Sequence, residues 1–468
     1  MAFGSTFLLS EGLMQIKKQE QQLSRGMKSR HLSMIAIGGT ISASFFLGIG
    51  DILKQVGAFG TVLGFVLGGL VMFLALLSLT EMAVAMPVSG SFQVYATRFI
   101  SPLAGFMTGW LYLINWVTAA AASLTAASII VGGWFPVLEI WQWSVIFIVL
   151  ICSLNFFPVK AYGELEFWFA GIKIVAILGF ILVGMAVLFG MVPQFGNVIG
   201  FKNFYQNGWF PNGYLPFLYG IVVIVCTYQG AELVGIAAGE SEDPENNVKR
   251  AIRNVGVRIL LFFVLSVFIV TLLMPWQQSS VSNSPFIAIL QQVKIPYIYP
   301  IMQVVIVASC LSAVNSAFYA CARLLWSMAG SRQAPRIYAA TNKNEVPYYG
   351  VLVTAAMSGL CLLSKFIGAE KVFILIVSSS GMVGCLIWIM ISWSHIGFRR
   401  YLKHEGVDAT TLSFRVRGYP LIPILGIIFN SLVILGMICD DGQRIVVYSG
   451  IVLISFFAIV YKLFYKVA

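Results

Sequence analysis

Glu232 and Lys173 carry ionisable groups deep inside long apolar stretches, where a charge costs enough to be rare. Glu232 lies in Thr227-Tyr-Gln-Gly-Ala-Glu-Leu-Val-Gly, beside a glycine that weakens a helix by roughly 1 kcal/mol. A carboxyl group and a helix break at one depth leave polar groups unsatisfied unless they face a polar cavity. Lys173, in Trp168-Phe-Ala-Gly-Ile-Lys-Ile-Val-Ala-Ile, stands about nine residues, or roughly 13 Å, beyond Glu164. That depth is marginal for snorkelling to the surface. A lysine held there can load and release a proton, or act as a fixed cation where sodium would otherwise sit.

A second break, Gly38-Gly-Thr-Ile-Ser-Ala-Ser44, should unwind the first apolar stretch at about the same depth. The N-terminus of a half-helix presents N–H groups to a carboxylate, and freed carbonyls on the other half suit an ammonium. A zwitterionic α-amino acid carries both charges. Two broken spans in corresponding halves point to a secondary transporter with its site at the midplane. Close helix packing is the plainer reading of Gly38-Gly39 taken alone.

Further polar residues fall on helical faces. Asn115, Thr118, Ser123 and Thr125, among Ala119–Ala122, either wall a pocket or form a tight seam. Ser309, Ser312, Asn315 and Ser316 recur at spacings of three and four, one stripe that must face protein or water. Asn115, Ser312 and Asn315 are therefore candidates for the pocket or a gate. Glu81 is expected to pair with a basic loop, and Glu240 with Arg323.

The elements that position these residues follow from composition. The 468 residues are 59% hydrophobic and 10% charged, with a mean hydropathy of +0.89. No soluble domain needs that much apolar surface, so the fold class is an all-α, polytopic membrane protein. Twelve spans are expected, centred near residues 45, 72, 114, 149, 177, 224, 264, 312, 356, 384, 429 and 455. Spans 1–5 and 6–10 suit two repeats of opposite topology, each opening on a broken helix. The boundaries are then a tail over 1–30, a ten-helix core over 31–398 and two additional helices over 399–468.

The charge of +11 is unevenly placed. On this topology 22 of the 29 Lys/Arg fall on segments of one side, clustered at Lys249, Arg250 and Arg253 and in the loop with Arg399, Arg400 and Lys403. The positive-inside rule puts that side, and both termini, in the cytoplasm. No basic stripe carries interleaved aromatics, which argues against nucleic acid. Seven cysteines without regular spacing and three histidines give no disulfide framework and no metal or cofactor signature. Paired catalytic acids and a nucleophile elbow are missing too, which excludes an enzyme.

Five stretches resemble the amino acid–polyamine–organocation transporters, in their bacterial amino acid permease branch. They are Arg30-His-Leu-Ser-Met-Ile-Ala-Ile-Gly-Gly-Thr-Ile, Pro87-Val-Ser-Gly-Ser-Phe with Gly105-Phe-Met-Thr-Gly-Trp110, Gly230-Ala-Glu-Leu-Val-Gly-Ile-Ala-Ala-Gly-Glu240, and Arg323-Leu-Leu-Trp-Ser-Met-Ala329. The resemblance implies the leucine-transporter-like fold, with a 5+5 inverted repeat, breaks in spans 1 and 6, and alternating access. It implies a substrate carboxylate at the backbone of Ala43 and Ser44, and an amino group at carbonyls near Thr40, Cys226 and Gln229. By the same resemblance Tyr228 shutters the pocket, Glu232 is proton-linked, and Lys173 replaces sodium. The site departs from the family pattern at Ser42 and Ser44, which follow Ile41 where glycines are usual, and at Ala231 in place of a hydroxyl residue.

The expected function is proton-coupled import of an α-amino acid, neutral and fairly apolar, across the cytoplasmic membrane. Its partners are that substrate, protons and membrane lipid. Two other readings are an amino acid/amine exchanger without proton coupling, and a membrane amino-acid sensor that binds without translocating.

Overall fold

A computed structural model of the chain describes residues 26–195, 198–279, 284–439 and 441–464. Most of the expected tail, residues 1–25, lies outside the described residues. In lipid every backbone polar group must pair internally, and helices do this within one segment. The described residues accordingly form helices and no strand, with one isolated bridge between Met27 and Ser241.

The helices that position the site are α1 (Ser29–Thr40), α2 (Gly48–Val56), α3 (Ala58–Ala85), α4 (Ser91–Phe99), α5 (Pro102–Trp134), α6 (Ile140–Leu154), α7 (Val159–Leu188) and α8 (Tyr214–Tyr228). They continue with α9 (Leu233–Ala237), α10 (Pro244–Leu273), α11 (Pro285–Val293), α12 (Ile298–Gly330), α13 (Tyr348–Ser358), α14 (Ala369–His404), α15 (Leu421–Ile438) and α16 (Asp441–Phe464). Among the described residues nine helices are long and apolar enough to cross a membrane, and α6 and Phe262–Leu273 are shorter apolar helices.

Helix α5 starts on a proline, with the Ser101 hydroxyl accepting from the Ala104 N–H, and α10 starts likewise on Pro244 with Asp243 capping Asn246. Helix α5 packs against both α12 and α14, and its small residues Ala120, Ala121, Ala122 and Ala126 are buried there. Helix α7 shows how one apolar helix serves two surroundings. Trp168, Val175 and Leu182 recur every seven residues on its exposed side, whereas Glu166, Ala170, Lys173 and Ile177 are buried. The basic residues Arg399, Arg400 and Lys403 were expected in a loop. They belong to the last turns of α14 instead, where cations complement the helix dipole.

Candidate functional site

Both expected breaks are present, and the first differs in extent. Gly38, Gly39 and Thr40 remain in α1, and only Ile41 (φ −82°, ψ 94°) and Ser42 (φ −133°, ψ −171°) are extended before a short turn at Ala43–Phe46. The two glycines are used for close approach. A methyl group on Gly38 would lie 2.6 Å from Glu166 Oε1, and one on Gly39 would lie 2.9 Å from Leu233 and 3.1 Å from the Gly230 carbonyl oxygen. Packing at the glycines and unwinding just after them coexist. Thr40 donates its hydroxyl to the Ile37 carbonyl at 2.8 Å, while the Ser42 and Ser44 hydroxyls pair at 3.0 Å. The first N–H groups after the break have no partner within their own helix.

Helix α8 ends at Tyr228, Gln229 turns extended (ψ 147°), and Gly230 takes φ +109°, which favours glycine. The carboxylate of Glu232 accepts from the Gly230 N–H at 3.1 Å through both oxygens and from the Tyr112 hydroxyl at 3.4 Å. Glu232 thereby holds the shape of its own break.

A cavity opens where the breaks meet. Of the residues expected to bind substrate, Ser42, Ser44, Cys226 and Gln229 line it, and Asn115 joins them. Gly39, Trp116, Ala119, Ala122, Ser123, Ala313, Val377 and Ser380 complete the lining. Thr40, Ile41, Ala43 and Ala231 lie beside it, buried, in the same two stretches. Tyr228 points elsewhere. Its hydroxyl donates to the Phe65 carbonyl at 2.7 Å, and Trp116 supplies the aromatic wall. Asn115, Ala119 and Ala122 follow helical spacing, so one face of α5 is a wall, while Thr118 and Thr125 donate to carbonyls of their own helix. Ser380 donates to Asn115 Oδ1 at 2.9 Å, and Gln229 Nε2 donates to the Ser380 carbonyl at 3.2 Å. Gln229 Oε1 is buried without a hydrogen-bond partner among the described residues, while the Trp116 indole faces Tyr112. One acceptor is thus free beside the cavity, and no lining side chain is charged.

Behind the first break, Lys173 donates to the Gly38 carbonyl at 2.6 Å and to Ser312 Oγ at 2.8 Å. Ser312 and Asn315 are therefore one layer outside the cavity. Asn315 Oδ1 accepts from Asn155 at 2.8 Å. Glu166, buried and bonded to Ser312 at 2.6 Å, was not singled out in the sequence, because Gly163-Glu-Leu-Glu reads as the polar start of a span. Its seven-residue spacing from Lys173 was the available signal.

The end of the bundle nearest the N-terminal segment is closed. Arg323 donates to Glu240 at 2.9 Å with both side chains buried, the pairing expected from sequence, and its guanidinium lies 4.2 Å from the Tyr319 ring centroid. Tyr319 stacks on Tyr162 with centroids 4.1 Å apart. At the same end Glu81 pairs with Arg399, accepts from the Val416 N–H at 2.6 Å, and lies 3.2 Å from His395. At the opposite end a vestibule lined by Asp51, Gln55, Asn212, Lys371 and Gln443 descends to Val223 and Ser378. Those two sit within one turn of Cys226 and Ser380. Among the described residues, no group of three or more His, Cys, Asp or Glu could hold a metal ion.

Comparison with known proteins agrees with this architecture. A family model described as amino acid permease matches residues 31–468. The chain is 43% identical to amino-acid permease RocE of Bacillus subtilis (strain 168), over 95% of this chain and 96% of that protein. It is 36% identical to lysine-specific permease LysP of Escherichia coli (strain K12), covering 94% of each. It is 34% identical to the gamma-aminobutyric acid permease of Bacillus subtilis (strain 168), again over 94% of each.

Proposed function

Since the chain belongs to the amino acid permease family, we propose that it imports an α-amino acid by proton symport, alternating access between the two membrane faces. It is a multi-pass membrane protein and a permease, not an enzyme. The observation that carries the reading is the cavity at the meeting of two helix breaks, bordered by the unpaired acceptor Gln229 Oε1. Ala43 and Ser44 would take the substrate carboxylate. Carbonyls near Thr40, Cys226 and Gln229 would take its ammonium.

The uncharged lining favours a neutral side chain. The names of the relatives differ, lysine for one and gamma-aminobutyric acid for another, so they do not select a substrate. Twelve crossings, a 5+5 inverted repeat and cytoplasmic termini belong to the same reading. The broken first helix, α6 and the apolar end of α10 would join the nine long helices. The sealed cytoplasmic end and open vestibule then suit a conformation facing outward. Lys173 or Glu232 exchanges the proton, whose entry across 100 mV supplies roughly 2.3 kcal/mol.

Uptake of labelled amino acids into vesicles, with and without an imposed pH gradient, tests this. Uptake that ignores the gradient but needs a counter-substrate inside would replace symport with exchange. Binding without uptake would make the protein a sensor.

A further inference from the structure

Glu166 is fully buried in α7, and no step of the proposed transport uses it. Its Oε1 accepts from Ser312 at 2.6 Å, and Asn315 and Ser316 of α12 also face its carboxylate. Ser312 Oγ in turn accepts from Lys173 at 2.8 Å, and Lys173 also donates to the Gly38 carbonyl at 2.6 Å. Glu166 and Lys173 are two helical turns apart on one face of α7. A single serine hydroxyl from α12 bridges them, oriented to accept from the ammonium and donate to the carboxylate. Gly38 completes the cluster, since any larger residue there would strike Glu166 Oε1.

We propose that Lys173, Ser312 and Glu166 form a proton relay, in which Glu166 receives the proton that Lys173 gives up and so loosens the first helix break. This deepens the symport reading and rests on it. In the step the Lys173 ammonium passes one proton to Ser312 Oγ while the original Ser312 O–H bond breaks and its hydrogen moves to Glu166 Oε1. A neutral amine, an intact serine and a neutral carboxylic acid result. No charge leaves the cluster. The charge-assisted bond to the Gly38 carbonyl becomes a weaker neutral one, three residues before Ile41, where the chain unwinds.

Around the relay Asn315 and Ser316 of α12 face the Glu166 carboxylate. Cys310 of α12 stands near Lys173, and Tyr162, also on α7, donates to Ser316 of α12 at 3.4 Å. Beyond them the Tyr162–Tyr319 stack leads to Arg323 and Glu240 at the end of the bundle that bears the N-terminal segment. That column stands apart from the substrate cavity and ends on the buried Arg323–Glu240 pair.

The test uses the purified full chain in vesicles with a labelled mixture of the twenty amino acids. Glu166→Gln keeps an acceptor for Ser312 and cannot take a proton. It should lose roughly tenfold or more of the accumulation driven by a pH gradient. Counterflow of labelled against unlabelled substrate, which needs no net proton movement, should persist. Equal gradient-driven accumulation in Glu166→Gln and the unmodified protein overturns the relay and leaves symport standing. Loss of both activities, with Glu166→Asp restoring neither, also overturns it. Should Glu166→Gln fail to fold, Ser312→Ala is read instead, with the same split expected and unchanged gradient-driven uptake overturning the proposal. If the unmodified protein ignores the gradient, the symport reading itself falls and takes the relay with it.

Discussion

Gly230 faces Gly39 backbone to backbone, so that a methyl group on Gly230 would lie 2.5 Å from both the carbonyl carbon and oxygen of Gly39. Nothing flexible can yield there, because the obstacle is main chain. Gly230 also holds φ +109°, which costs a residue with a side chain on the order of 1–3 kcal/mol. Gly230→Ala should therefore abolish vesicle uptake while leaving a folded, membrane-inserted protein with a lowered melting temperature. Gly39→Ala should be milder, because its nearest obstacle is the end of the Leu233 side chain. Uptake by Gly230→Ala at the unmodified rate would show that the two breaks need not touch.

Arg323 and Glu240 form a buried pair, and removing one partner strands the other at a cost of about 3–5 kcal/mol. Arg323→Met and Glu240→Leu should each lower the melting temperature, and the double variant should recover most of the loss. A double-mutant cycle measures this. Additive destabilisation would show that the two side chains do not depend on each other.

Cys226 lines the cavity and is buried, whereas Cys439 is exposed. In a Cys439→Ser background, a small membrane-impermeant thiol reagent should modify Cys226 slowly from the vestibule side. A transported amino acid should slow that reaction further. Mass spectrometry of the alkylated protein reads the result, and labelling indifferent to every amino acid would place the substrate elsewhere.

Glu81 joins α3 to Arg399 and to the Val416 N–H, and it is not among the residues lining the cavity. Glu81→Ala should destabilise the protein by about 3–5 kcal/mol through the stranded guanidinium. Transport per folded molecule should change little, as thermal melts and uptake normalised to folded protein will show. A selective loss of transport at unchanged stability would give Glu81 a part in the gate.

The breaks were legible because glycine, small polar residues and an acid seldom fall together in an apolar run that stays helical against lipid. Glu81 and Arg323 were legible for a similar reason, since a buried charge demands an opposite one. Helical spacing fixes the face of Tyr228 without fixing which neighbour it meets; here that neighbour is Phe65 of α3. Ala313, Val377 and Ser380 reach the cavity through the rotation of α12 and α14, and apolar or small residues carry no sequence mark of such a role. Glu166 looked like the boundary acid Glu164, two residues earlier. Its partners Ser312 and Gly38 lie more than a hundred residues away, where local pattern has no reach.

Met27 is tied on both sides of the seal, its N–H donating to the Glu240 carbonyl at 3.1 Å and its carbonyl accepting from the Glu242 N–H at 3.0 Å. The strap grips the very residue whose side chain holds Arg323. Pulling on the polypeptide ahead of α1 thus acts on the latch with almost no lever arm between. A rigid fusion grafted at residue 26 would load that latch mechanically, and the same cargo beyond Phe464 would leave it at rest.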